Sequence, residues 1–465
     1  MTSTKPWNCS VTSGAAPEPR AARPAPSADR GRATPGGAQA TATPAAHQLT
    51  RLDNGITVAT AAMPGMASVS LGLWIAVGGR YEPEPVSGVS HFIEHMLFKG
   101  TRRRSAEQIS QDVEGIGGYL NAFTSEDHTC FYSKALKDRF DDLADVLFDM
   151  LLESRFSPVD IRREREVIRE EVAMYLDQPQ QHVQEVFNEI MWPGHALGRP
   201  LTGTFQSIDR IHRRTMVEFL GRHYNSASLV VAAAGALDHE TVVKTIRRHT
   251  RRLPTSVRQS FDPYPTERTQ PSVRLVTKST EQSQIALGFR ACSRTDPRRF
   301  AVRLLNIVLG ENMSSRLFQL IREDRGLVYS IYSGPSFWSD VGDLVISAGL
   351  DAEKIEPVLR LVFRELRHLA SSPVSRAELQ RAHDYAVGQM DLSLENTENH
   401  MMWLGEQLIT TGRLPSVDAA RRELSRVTPA DIRACAQAFL RPERAALAVV
   451  SPMRSDRPLR RLLGL

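Results

Sequence analysis

The hydrophobic pattern becomes regular from about Leu52. Asn54-Gly55 is a turn signal, and the alternation in Ile56-Thr57-Val58 predicts a strand after it. Val69 to Val77 predicts a second strand. A Gly/Pro-rich loop then leads into a helix around residues 91–95, with Ser90 placed to cap its start. A second helix runs from Ser105, its cap, to Ile116, and Gly117-Gly118 ends it. Tyr119 to Tyr132 reads as extended and Lys137 to Ser154 as helical. Ser157-Pro158 opens a further helix from Val159 to about Tyr175. Leu229 to Ala236 is a short continuous apolar run, the length of a buried strand.

The pattern then repeats. Val69-Ser70-Leu71-Gly72-Leu73 matches Ile285-Ala286-Leu287-Gly288-Phe289 at an offset of 216, and Ser157-Pro158-Val159 matches Ser372-Pro373-Val374 at 215. Leu229-Val230-Val231 matches Leu447-Ala448-Val449 at 218. Three offsets of similar size in one order indicate two copies of a unit of about 210 residues. The expected fold is α+β: two homologous units, each a mainly antiparallel sheet flanked by helices, at 48–250 and 273–465. Residues 251–272 hold four prolines and many polar residues and read as a linker between them.

Composition changes this picture at one end only. Residues 1–47 are rich in Ala, Pro, Gly, Ser and Thr and cannot bury a core, so they read as a disordered extension. The extension has no apolar stretch of the kind a secretory signal needs. Its arginines at 20, 23, 30 and 32 and its few acids would also suit an organellar transit peptide, which its prolines oppose. The formal charge of +5 over 465 residues is small, and its arginine runs lack aromatic interleaving, so nucleic-acid binding is not expected. No apolar run approaches the roughly 18 residues of a membrane span. The four cysteines, Cys9, Cys130, Cys292 and Cys435, form no close pair, which points to a reducing compartment and a cytoplasmic location, with the mitochondrial matrix or another organelle second.

The chemistry concentrates at His91-Phe92-Ile93-Glu94-His95. On a helix His91 and His95 share a face about 6 Å apart, close enough to grip one ion, with Glu94 beside them. The order is that of the H-x-x-E-H zinc helix. A catalytic zinc takes three protein ligands and leaves a position for water, so one ligand is missing. The helix after Pro158 offers Glu164, Glu166, Glu170 and Glu171; Glu164 and Glu171 share a face, Glu166 and Glu170 another, and spacing alone does not choose. The alternative for that helix is a solvated run of ion pairs. Shifted by 216, His91, Glu94 and His95 fall on Ile307, Gly310 and Glu311, so the second copy lacks the metal pair.

His91 to Thr101, HFIEHMLFKGT, resembles the signature of the pitrilysin/insulinase family of zinc peptidases, and in particular its two-domain branch with the mitochondrial processing peptidase β subunit and bacterial relatives. The resemblance runs from about Leu52 to the C-terminus. It implies Glu171, 76 residues after His95, as third ligand of one zinc ion per chain, and Glu164 as a supporting acid. It makes Glu94 the general base, and Asn121-Ala122-Phe123 part of an edge strand that accepts a peptide by β-addition. His128 nearby reads as a satisfied histidine rather than a further ligand. In the second copy Arg322 and Tyr329 resemble the family's pair that holds a substrate carbonyl and the oxyanion. The segment Leu309 to Leu317 has one glycine and departs from the glycine-rich loop of the processing peptidase's non-catalytic subunit. The implied activity is zinc-dependent endopeptidase action on unfolded peptides or precursor segments in an enclosed chamber, built by a homodimer in which zinc faces the partner's Arg/Tyr pair. A maturation protease for one precursor or leader, and a non-catalytic structural subunit, are the alternatives.

Overall fold

The computed structural model describes residues 47–253, 255–264 and 270–465. The expected disordered extension lies, but for His47, outside them, as do Pro254 and residues 265–269 of the expected linker.

The first unit opens with β1 (His47–Arg51), β2 (Thr57–Ala62) and β3 (Ser68–Ile75). Helices α1 (Val89–Leu97) and α2 (Ala106–Glu114) come next, then the hairpin β4 (Tyr119–Thr124) and β5 (Thr129–Leu136). Five helices continue the chain: α3 (Phe140–Glu153), α4 (Pro158–Asp177), α5 (Pro179–Met191), α6 (Phe205–Arg210) and α7 (Arg213–His223). Strand β6 (Leu229–Gly235) and α8 (His239–His249) close the unit. Order begins earlier than the hydrophobic pattern suggests. Strand β1 has no apolar alternation because it is an exposed edge, held by its register with β2 from His47↔Ala61 to Arg51↔Thr57.

The second unit repeats the plan with β7 (Ser272–Thr277), β8 (Ser283–Ala291), α9 (Arg299–Asn306), β9 (Ser330–Phe337) and β10 (Gly342–Leu350). Helices α10 (Ile355–Ser371), α11 (Arg376–Leu394), α12 (Thr397–Thr411), α13 (Val417–Ser425) and α14 (Pro429–Phe439) precede β11 (Ala446–Ser451) and α15 (Arg457–Leu462). Two π-helical turns, Ile307–Glu311 and Phe318–Glu323, stand where the first unit has α1 and the start of α2.

The strand orders are β1-β2-β6-β3-β5-β4 and β7-β11-β8-β10-β9. In both sheets one pair is parallel, β2 with β6 and β7 with β11, and the corresponding remaining pairs are antiparallel. The two units are therefore copies of one α+β design, and β4 and β9 occupy equivalent open edges.

Each unit has its own core between sheet and helices. The other face of each sheet is covered by a helix from the opposite unit. Helix α5 lies on β8 and β11, and α12 lies on β3 and β6. Phe187 and Trp192 thus pack with Ala286 and Ala446, while Met401 and Trp403 pack with Trp74 and Ala232. The glycine shared by the two repeats is where these helices press in. A Cβ on Gly288 would lie 2.3 Å from the Phe187 ring, and one on Gly72 would lie 2.3 Å from Met401 Sδ. Two described residues of the segment joining the units are also pinned. Phe261 packs edge-on to Tyr81, and Tyr264 edge-on to Trp192.

Candidate metal centre and active site

Helix α1 has only nine residues, too few to be stable alone. It is fixed by burying Val89, Phe92, Ile93, Met96 and Leu97, each worth roughly 1.5–3 kcal/mol when fully buried. That leaves His91, Glu94 and His95 on the other face, toward α4 and β4, both of which pack against α1. Ser90 does not cap the helix. It lies inside the first turn; Gly88 is the N-cap, at φ 91°, and a side chain there would collide with the backbone of Thr202 and Gly203. The amides of Gly88 and Ser90 donate instead to the Glu82 carboxylate, at 2.6 and 2.8 Å.

Helix α4 is capped by Ser157, carries Pro158 in its first turn and buries Ile161, Glu164, Ile168 and Val172. Glu164 and Glu171 therefore both reach the α1 side, and the solvated-run alternative does not apply to them. Glu171 Oε2 lies 3.7 Å from His91 Nε2 and 3.6 Å from His95 Nε2, and the two ring nitrogens are 3.2 Å apart. These three residues are the one group of its kind among the described residues. Glu166 and Glu170 are not in it.

The donor set fits a zinc ion. Tetrahedral ligands at zinc distances of about 2.0–2.2 Å lie roughly 3.3–3.6 Å from one another, close to the separations found. Glu171 Oε2 is buried and has no hydrogen-bond partner among the described residues, a position that suits a carboxylate oxygen bound to a cation. Burial, with some help from neighbouring His95, lowers the His91 pKa to about 3, which keeps its ring neutral and able to ligate. His95 Nδ1 bonds Glu164 Oε1 at 2.9 Å, and Lys99 Nζ meets Glu164 Oε2 at 2.8 Å. Burial lowers the His95 pKa, but the hydrogen bond to Glu164 and the nearby carboxylates outweigh it and raise the value. For Glu164, burial raises the pKa and the His95 and Lys99 hydrogen bonds outweigh it.

Glu94 is held from β4: Thr124 Oγ1 donates to its Oε2 at 2.5 Å. Burial raises its pKa against the pull of that hydrogen bond and of His95, with Glu171 adding to the rise. Asn121 Oδ1 accepts from the Ala122 amide at 2.8 Å. The Phe123 ring turns inward, 5.6 Å from Trp74, so its side chain belongs to the core shared by the units. His128 is buried beside Trp74 and, against the expectation of a satisfied ring, neither of its nitrogens has a hydrogen-bond partner among the described residues; burial lowers its pKa to about 3.

Arg322 and Tyr329 stand in the second unit. Arg322 lies 4.7 Å over the Phe318 ring in the second π-helical turn, and Tyr329, just before β9, is 70% exposed. Among the described residues no hydrogen bond or ion pair joins either to His91, Glu94, His95 or Glu171. The positions equivalent to the metal pair do other work: Ile307 is core, and Glu311 pairs with Arg303 and Asn306. Sequence reasoning missed Glu82, Thr124 and Lys99 as partners of the site. Thr124 and Lys99 stood inside recognised segments, whereas nothing in the pattern marked Glu82.

Comparison with known proteins decides the family. Residues 57–205 match the family described as insulinase, peptidase family M16, and residues 210–384 match the peptidase M16 inactive domain. An uncharacterized zinc protease of Streptomyces coelicolor is 37% identical over 417 residues, covering 88% of this chain and 91% of its own. The chain belongs to peptidase family M16. An M16 chain of this two-unit kind also resembles the uncharacterized zinc protease YmxG of Bacillus subtilis, 32% identical over 86% of this chain and 97% of YmxG. The fold is that of a protease from Helicobacter pylori, with a TM-score of 0.82 at 19% identity, covering 88% of this chain and all of the other. No described helix of this M16 chain is long and apolar enough to cross a membrane.

Proposed function

We propose that this chain is a zinc-dependent endopeptidase that hydrolyses extended, unfolded peptides or precursor segments. The observation that carries the reading is the convergence of His91, His95 and Glu171, with a buried Glu171 oxygen that has no hydrogen-bond partner among the described residues. These three residues would hold one zinc ion, which supplies Lewis acidity to a water and to the scissile carbonyl. Glu164 orients His95 through its Nδ1, the usual outer support of a ligating histidine. Glu94, with one oxygen held by Thr124, uses the other to take the water's proton and return it to the leaving amine.

Substrate binding falls to β4, the open edge beside Glu94. A peptide adding there as a strand is held by backbone hydrogen bonds regardless of its sequence. Asn121 leaves the Ala122 amide when such a strand takes its place. Arg322 and Tyr329 serve as carbonyl and oxyanion donors from the partner subunit of a homodimer, and Tyr329's exposure suits a residue that completes a site on another chain. A cytoplasmic location agrees with Cys130, Cys292 and Cys435, which are free and buried.

The test is incubation of the zinc-loaded protein with a mixed peptide library, with cleavage mapped by mass spectrometry. Cleavage within many extended peptides is expected, and Glu94→Gln should reduce it at least about a hundredfold while zinc is retained. Undiminished cleavage by Glu94→Gln contradicts the reading. Cleavage of a single precursor only would narrow it to a maturation protease.

A further inference from the structure

Helix α1 borrows its cap. Its first-turn amides need acceptors, and Glu82 supplies both carboxylate oxygens, Oε2 to Gly88 N–H and Oε1 to Ser90 N–H. Glu82 is buried, and Arg199 Nη2 donates to its backbone oxygen at 2.8 Å. Two residues earlier, the wholly buried Arg80 side chain makes a two-pronged ion pair with Asp340, in the turn between β9 and β10 of the second unit. The distances are 2.7 Å for Nη1–Oδ1 and 2.9 Å for Nη2–Oδ2. Asp127, in the turn between β4 and β5, meets the same Nη1 at 3.3 Å, and its other oxygen accepts from Ser339 N–H and Oγ–H. The Tyr264 amide donates to Asp340 Oδ2 at 2.9 Å, and the guanidinium lies 3.8 Å over the Phe261 ring.

We propose that Asp340, Arg80 and Glu82 are positioning residues for the peptidase site. The β9–β10 turn of the second unit, gripping Arg80, fixes the segment whose Glu82 carboxylate sets where α1 begins. His91 comes directly after Ser90, so the cap sets where His91 and Glu94 stand against Glu171. The inference rests on the peptidase reading above and gives the unit without metal donors a part in the chemistry of its own chain. Geometry of this kind matters because a displacement of about 1 Å at a catalytic group lowers rates roughly a hundredfold. Bidentate arginine–carboxylate pairs hold geometry better than single hydrogen bonds do.

The experiment compares the full chain with Asp340→Ala, Asp340→Asn and Glu82→Gln. Glu365→Ala is the control, because Glu365 pairs with Arg316 wholly inside the second unit. Three quantities are read: amide exchange across residues 88–97 in metal-free protein, zinc affinity by competition with a coloured chelator, and kcat and KM on a quenched fluorescent peptide. Asp340→Ala and Glu82→Gln are expected to speed exchange in α1 about tenfold or more. They should weaken zinc by about tenfold or more and lower kcat while KM stays within about twofold. Asp340→Asn should fall between these and wild type, and it carries the test should Asp340→Ala not fold. Glu365→Ala should lower the unfolding midpoint and leave the three readouts at wild-type values. Wild-type values in Asp340→Asn and Glu82→Gln, or equal changes in Glu365→Ala, overturn the proposal and leave the peptidase reading standing. Wild-type protein that neither holds zinc nor cleaves peptide overturns that reading instead; the exchange measurement then still decides whether the second unit holds α1.

Discussion

Glu171 Oε2 sits between two imidazole nitrogens and has no hydrogen-bond partner among the described residues. A buried carboxylate in that state is costly unless a cation joins it. Glu164 shows the contrast: both its oxygens are engaged, by His95 and by Lys99. Replacing it with Gln removes the charge that orients His95, and zinc affinity should fall about 10–100-fold in a chelator competition. Away from the site, His223 and His400 are buried, and burial lowers each pKa to about 4 from an ordinary 6.5. A histidine whose folded value is depressed contributes stability that is complete above pH 6.5 and is lost as the pH falls through 4. Each group is worth at most about 3 kcal/mol. Metal-free protein should therefore melt progressively lower from pH 7 to pH 4.5. His223→Phe, set among Phe219 and Tyr81, should lessen that fall.

Among the elements, α1 and α4 were legible because each buries one face at helical spacing and leaves its chemistry on the other. The paired glycines of the repeat were legible too, but their reason was not. Gly72 and Gly288 admit helices that lie far away along the chain, and no local pattern reveals which unit covers which sheet face. The same limit hid Glu82, whose capping role depends on the fold of the intervening loop, and β1, whose exposure erases any alternation. Choosing Glu171 over Glu166 and Glu170 needed the family resemblance; the structure brings Glu171 to the histidines, with Glu164 behind His95. Filling the space under α5 tests the exchanged-helix packing. Gly288→Val should force Phe187 aside and destabilise the protein by at least about 1–3 kcal/mol in denaturant unfolding.

At the scale of the molecule, two copies of one unit carry different side chains at equivalent positions. The first carries the His91, His95 and Glu171 cluster, and the second carries Arg322, Tyr329 and the turn that grips Arg80. In the proposed function Arg322 and Tyr329 complete the site of a second copy. Mixing Glu94→Gln subunits with Tyr329→Phe subunits should then restore activity, since one of the two sites in a mixed dimer is intact. No recovery despite confirmed mixing would contradict sharing between subunits. The central claim is that two histidines of α1 and one acid of α4 hold a metal, and the most direct measurement is zinc per chain by elemental mass spectrometry after extensive dialysis. One zinc per wild-type chain, absent from His91→Ala, is predicted. A wild-type chain that retains none, or a His91→Ala chain that retains it in full, would contradict the account.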